Sequence, residues 1–155
     1  MPRASRSTVP TAYAPSWFYR VSLVRERAIA GDKVTSPADV ARVAAPLFDG
    51  LDREQFVVLL LNARHSVIGS NVVSLGTVHA SIVHPRETFK AAVILGASAI
   101  ILVHNHPSGE TTPSREDLAI TKRMVKAGEV LGIAVLDHVI LGDGCHLSFK
   151  EAGLL

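Results

Sequence analysis

Two uninterrupted apolar runs, Phe56–Leu61 (FVVLLL) and Ala99–His104 (AIILVH), restrict what this chain can become more than any other feature. Neither alternates with polar residues, and each is too short for a helix buried on all sides. Both therefore read as strands covered on both faces. A sheet with such strands needs helices above and below it, and three segments supply them. Ser36-Pro37-Ala38-Asp39 has a hydroxyl cap, proline at the first helical position and an acid in the first turn, which predicts a helix to about Asp49, stopped by Gly50. His84-Pro85 opens a second, through Phe89 and Leu95 to Gly96, and Ser114-Arg115-Glu116-Asp117 a third, capping-box-like, to about Leu131.

Further strands are expected at Val67–Ser74, joined to Phe56–Leu61 through Asn62–His65, at Ile133–Leu141, and at Cys145–Phe149 after the turn Asp143-Gly144. At least one hairpin among these helices gives an α/β fold, a mixed central sheet flanked by helices. Trp17–Arg25 alternates weakly, as an edge strand would. Residues 1–18 lack periodicity and read as a disordered or loosely docked leader, leaving 19–155 as one domain.

Composition narrows the function classes. The 155 residues are 48% hydrophobic, enough for a core without covalent staples. Cys145 is the single cysteine, so an internal disulfide and a multi-cysteine metal site are excluded, in keeping with a reducing compartment. The net charge of +2 is unevenly spread: residues 1–27 hold five arginines against Glu26, a balance of +4, while the rest carries 11 Lys+Arg against 13 Asp+Glu, a balance of −2. The domain offers no basic footprint for a nucleic-acid backbone. Apolar runs stop after about six to eight residues, against roughly 18 for a membrane span, and no signal peptide is visible, so a cytoplasmic protein is expected.

The chemistry gathers at the end of the second apolar run. Residues two apart on a strand point to one face, so His104 and His106 can aim together. Asp117 follows eleven positions later, in the first turn of the third helix, after a loop rich in Pro, Gly, Ser and Thr. Judged singly, each has an ordinary explanation: a histidine at a strand end, a serine N-cap at Ser114, an acid favoured by the helix dipole. Together they form a three-ligand set of His, His and Asp that leaves a fourth position open, the catalytic arrangement for zinc; manganese and iron also accept such ligands.

The spacing His104-x-His106, seven residues, Ser114, two residues, Asp117 resembles the JAMM motif of JAB/MPN-domain metalloproteins. Closer still, SIVHPRE (81–87), ILVHNHPSG, PSREDL, GIAVLDHVILGDG and KEAGLL resemble the RadC family over roughly residues 35–155. That resemblance implies a cytidine-deaminase-like fold holding one zinc, and hydrolysis of peptide or isopeptide bonds by a zinc-activated water. It implies His104, His106 and Asp117 as ligands, Ser114 as donor to the oxyanion, and Glu54, just before the first buried strand, as general base. Glu87 competes for that last role, but an acid at a helix start is explained by the dipole.

Two departures qualify the match. Asn105 stands where deubiquitinating members carry Ser or Thr, which speaks against ubiquitin-type substrates. The helix-hairpin-helix region of longer RadC proteins has no counterpart here, so a role in DNA repair rests on the family name alone. Asp137-His138 reads as an ordinary buried polar pair beside the site, and Cys145 has no activating partner. The leading expectation is a zinc hydrolase acting on a peptide or protein. A second directs the metal to nucleic acid, against the charge and an aromatic content of 5%. A third, a non-catalytic scaffold, sits poorly with a complete ligand set.

Overall fold

The structure, a computed structural model, describes residues 32–76 and 83–155. The leader, the start of the domain at residue 19 and the Trp17–Arg25 strand lie outside the described residues, as do Ser81 and Ile82.

In chain order the elements are α1 (Pro37–Ala44), a 3-10 turn (Ala45–Leu47), β1 (Glu54–Leu61), β2 (Val67–Gly76), α2 (Pro85–Leu95), β3 (Ala99–Asn105), α3 (Arg115–Leu131), β4 (Ala134–Leu141) and β5 (His146–Ser148). Among the described residues the strands form one sheet in the order β2-β1-β3-β4-β5. β3 and β4 are parallel, joined by α3 as a crossover, and the other three pairings are antiparallel.

The two apolar runs lie side by side at the centre, and strand alternation divides their side chains between two cores. Val57, Leu59, Leu61, Ile101 and Val103 face α1 through Val40, Val43 and Ala44. Phe56, Val58, Leu60, Ile100 and Leu102 face the other way, against Phe89 and Ala92 of α2 and Ile120 and Met124 of α3. Truncating one of these fully buried leucines to alanine would cost about 2–5 kcal/mol. The arrangement is the mixed α/β architecture of a JAB/MPN domain.

α1 ends earlier than its sequence suggests. Pro46 has no N–H to donate back to Arg42, and its ring crowds that turn, so regular helix stops at Ala44 and continues only as the 3-10 turn. α2 and α3 run to the residues expected, each closed by a left-handed glycine, Gly96 and Gly132. His84 caps α2, its Nδ1 accepting the Arg86 N–H at 3.2 Å. The strands fall where the apolar runs place them, with one or two residues gained or lost at their ends.

Candidate metal centre

β3 and α3 build the site between them. β3 carries His104, which is fully buried, and ends at Asn105; the chain then stays in line for one more residue because His106 donates its N–H to Leu141 O at 2.9 Å. A turn closed by Gly109 N–H to His106 O at 2.9 Å reverses the direction, and the loop returns to Ser114, the N-cap of α3. Ser114 Oγ accepts the Asp117 N–H at 3.1 Å, while Asp117 Oδ2 takes the Ser114 N–H at 2.8 Å and its hydroxyl at 2.7 Å. This capping box sets the Asp117 carboxylate on the inner side of the first turn, buried against the histidines.

Three donor atoms converge there. His104 Nε2 and His106 Nε2 are 2.9 Å apart, His104 Nε2 and Asp117 Oδ1 3.2 Å, and His106 Nε2 and Asp117 Oδ2 3.6 Å. Ligands at 2.0–2.1 Å around a tetrahedral zinc stand roughly 3.3–3.4 Å from one another, close to these separations, of which two run to different oxygens of the one carboxylate. The donor set agrees. His106 Nδ1 lies 2.7 Å from Glu110 O, which only accepts, so the neutral ring keeps its proton on Nδ1 and turns a lone pair toward the cluster. A lone pair beside a carboxylate in a buried setting calls for a cation. His104, His106 and Asp117 could together hold a metal ion.

The surroundings reinforce this polarity. Burial alone would raise the Asp117 carboxyl, but its polar neighbours, the N–H and hydroxyl of Ser114 among them, outweigh it and hold the group well below the usual carboxylate range. Phe56 stacks on His104 at 6.0 Å between ring centres, closing the apolar side of the site.

Glu54 opens β1, the strand next to β3. Phe56 and His104 form the last pair of the β1–β3 ladder, and Glu54 lies two residues beyond it on β1. Alternation places Glu54 on the face of β1 that carries Phe56, which is the face of the metal site. Asn105 holds this end of β1 in place: its Oδ1 accepts the Gln55 N–H at 2.7 Å and its Nδ2 donates to Arg53 O at 3.1 Å. Glu87 and Glu110 are engaged elsewhere, Glu87 with Lys90 in the first turn of α2, and Glu110 through its carbonyl on His106.

The dipeptide Asp137-His138, which reads as one buried polar pair, divides between the two faces of β4. Asp137 is a structural anchor, taking the Ser148 hydroxyl at 2.6 Å and the Lys150 N–H at 3.0 Å. His138 points to the other face, where its Nε2 lies 2.8 Å from His104 Nδ1 and its Nδ1 lies 2.6 Å from Thr121 Oγ1. Burial first, then the neighbouring His104, pushes His138 well below the ordinary imidazole value, so it is neutral. A histidine inside an otherwise apolar strand was the sequence signal for this contact; nothing in the sequence pointed to Thr121.

A cavity of about 520 Å³ reaches His106 from the α1 side, walled by Ala41, Ala45 and Phe48 as well as by Pro107–Gly109 and Gly142–His146; His104, Ser114 and Asp117 do not line it. It lies beyond the carboxyl ends of the parallel strands β3 and β4, where open α/β sheets take their ligands. Cys145 borders it, exposed, with its Sγ 3.6 Å from Gly109 O. Among the described residues no helix is long and apolar enough to cross a membrane.

Comparison with known proteins agrees with this geometry. Residues 34–154 match the family model described as RadC-like JAB domain. A UPF0758 protein of Caldanaerobacter subterraneus is 55% identical over 120 residues, covering 77% of this chain and 52% of the relative. One of Desulforamulus reducens is 49% identical over 122 residues (79% and 54%), and one of the archaeon Methanosarcina mazei 44% over 123 (79% and 54%). The chain thus spans about half the length of the curated relatives it matches. With a JAMM-type His-His-Asp cluster and a family model matching residues 34–154, the chain belongs to the RadC-like JAB domain family.

Proposed function

We propose that the protein is a zinc-dependent hydrolase of the JAMM type that cleaves peptide or isopeptide bonds, with one zinc per chain. The observation that carries this reading is the trio His104, His106 and Asp117, whose possible ligand atoms converge within 2.9–3.6 Å of one another. Zinc held there supplies a Lewis acid and brings the pKa of a coordinated water to about 7.

The chain's own residues do the rest. Glu54, two residues before Phe56 and on the same face of β1, is the general base: its carboxylate takes the proton of the attacking water and hands it to the leaving amine. Ser114 is the oxyanion donor. Its hydroxyl donates to Asp117 Oδ2 in the structure, and would turn toward the substrate oxygen as that oxygen gains charge. Phe56 and the buried end of β3 keep bulk water from the inner side of the ligands.

Metal content of the purified protein, measured by elemental mass spectrometry beside Asp117→Ala, tests the reading. About one zinc per chain, lost in the variant, supports it and sends the protein to a panel of peptide and isopeptide substrates. A wild type that stays metal-free after zinc is supplied sinks it.

A further inference from the structure

We propose that Thr121 and His138 are positioning residues for the metal centre. They fix the proton of His104 on Nδ1, so that Nε2 is offered to the metal as a lone pair. This inference rests on the metal reading above.

The argument follows the protons along one chain of hydrogen bonds. Thr121 Oγ1 lies 2.7 Å from Asp117 O, the carbonyl one helical turn earlier in α3. A carbonyl only accepts, so the single hydroxyl proton of Thr121 sits between those two oxygens. The same Oγ1 is 2.6 Å from His138 Nδ1, and with its proton committed it can only accept there. His138 therefore carries its proton on Nδ1; the ring is fully buried and its nitrogens meet Thr121 Oγ1 and His104 Nδ1, with no carboxylate bonded to balance a second proton, so Nε2 is bare. That bare nitrogen is 2.8 Å from His104 Nδ1, which must be the donor. His104 Nε2 is left without a proton, facing His106 Nε2 and Asp117 Oδ1.

A chain ending in groups that both donate and accept could reverse its polarity. This one ends on a carbonyl and cannot. The carbonyl belongs to Asp117, whose side chain is itself in the ligand trio, so a single residue of α3 supplies one donor atom and sets the tautomer of another. At His106 the same result is reached separately, through Glu110 O. Both rings thus present Nε2 without rearrangement. Thr121, His138 and His104 are all buried, so none of these bonds competes with water. Partners of this kind behind a ligating histidine typically change metal affinity 10–100-fold.

The test combines imidazole-nitrogen NMR of the zinc-loaded and metal-free protein with zinc affinity by chelator competition, on wild type, Thr121→Val and Thr121→Ser. The wild type is expected to show His138 neutral and protonated at Nδ1. Thr121→Val, similar in shape but without the hydroxyl, should lose that single tautomer and bind zinc about 10-fold more weakly. Thr121→Ser should restore both. His138 protonated at Nε2 in the wild type overturns the proposal, even should the valine variant fail to fold. So does a valine variant with unchanged tautomer and affinity, a result that leaves the metal reading intact. A wild type with the expected tautomers that binds no zinc overturns the metal reading and the positioning role with it.

Discussion

Asn105 grips Gln55 across the end of the sheet, its side-chain carbonyl taking the Gln55 N–H at 2.7 Å where a main-chain ladder bond would otherwise be sought. Its amide donates at the same time to Arg53 O at 3.1 Å, so the two bonds straddle Glu54. The residue between the two metal-site histidines is thereby the one that fixes the backbone of the proposed base. Its amide presents both a donor and an acceptor, as the two bonds require.

Asn105→Ala should separate metal binding from turnover. His104 stays paired with Phe56 and Ile140, and His106 stays bonded to Leu141, so zinc content should hold near one per chain. The buried Gln55 N–H and the part-buried Arg53 carbonyl lose their partner, at a cost of about 1–3 kcal/mol in unfolding free energy. A general base shifted by an ångström lowers turnover by up to about 100-fold. Denaturant unfolding and kinetics on any peptide the wild type cleaves check this; an unchanged rate would remove Asn105 from the account of Glu54.

Removing the metal should loosen the domain. Zinc that binds only the folded state stabilises it by about 2.7 kcal/mol at a hundredfold excess over Kd. For a domain of this size that is roughly 10 °C in Tm. A chelator should lower the wild-type Tm by that order and leave Asp117→Ala unmoved. Equal shifts in both proteins would place the stabilising ion somewhere other than this trio.

Asp39 predicts a pH effect remote from the metal. Its Oδ2 accepts from the N–H and hydroxyl of both Thr35 and Ser36, and these bonds, the Thr35 N–H foremost, lower its pKa to about 2. In the unfolded chain an aspartate titrates near about 3.9. The folded pKa is the lower, so the stability Asp39 contributes is complete above about pH 4 and fades as the pH falls toward 2. Asp39→Asn should flatten the urea midpoint against pH in that window, compared with wild type. Parallel curves for the two proteins would refute the assignment.

Ser36–Asp39 and Ser114–Asp117 also show why part of the site was legible and part was not. Both are capping boxes with the same spacing, and locally they are alike. What distinguishes Asp117 is the strand before it: β3 delivers two histidines to the start of its helix, while nothing comparable precedes Asp39. The ligand trio could be read because those residues are close in sequence and follow a strand that alternation identifies. α1 ends at Ala44, short of Gly50, because Pro46 breaks the helical bonding before the glycine is reached. The contacts of Asn105 with Arg53 and Gln55, and of His138 with His104 and Thr121, depend on register between strands and on the face a helix turns inward. Register was not fixed by the local pattern, so these pairings emerged only from the fold.

Gly142 gives the sharpest test of how the loops support the centre. It follows β4, and a Cβ at this position would lie 2.3 Å from Gly109 O and 2.8 Å from both Cys145 Sγ and Thr111 Cγ2. Gly142→Ala must therefore displace the 107–113 loop or the turn facing it, at a cost of about 1–3 kcal/mol. That loop carries Glu110 O, the acceptor that orients His106, so zinc affinity should fall together with stability. Gly128→Ala is the matched control. A Cβ there would meet Ile133 O at 2.4 Å, an equally severe backbone clash. Gly128 stands eleven residues beyond Asp117 on α3, about 16 Å along the helix axis. It should destabilise the domain, less whatever it gains in helix propensity, and leave zinc affinity where it was. If both variants weaken zinc binding to the same degree, the loss reports general loosening of the fold and the loop has no particular hold on His106.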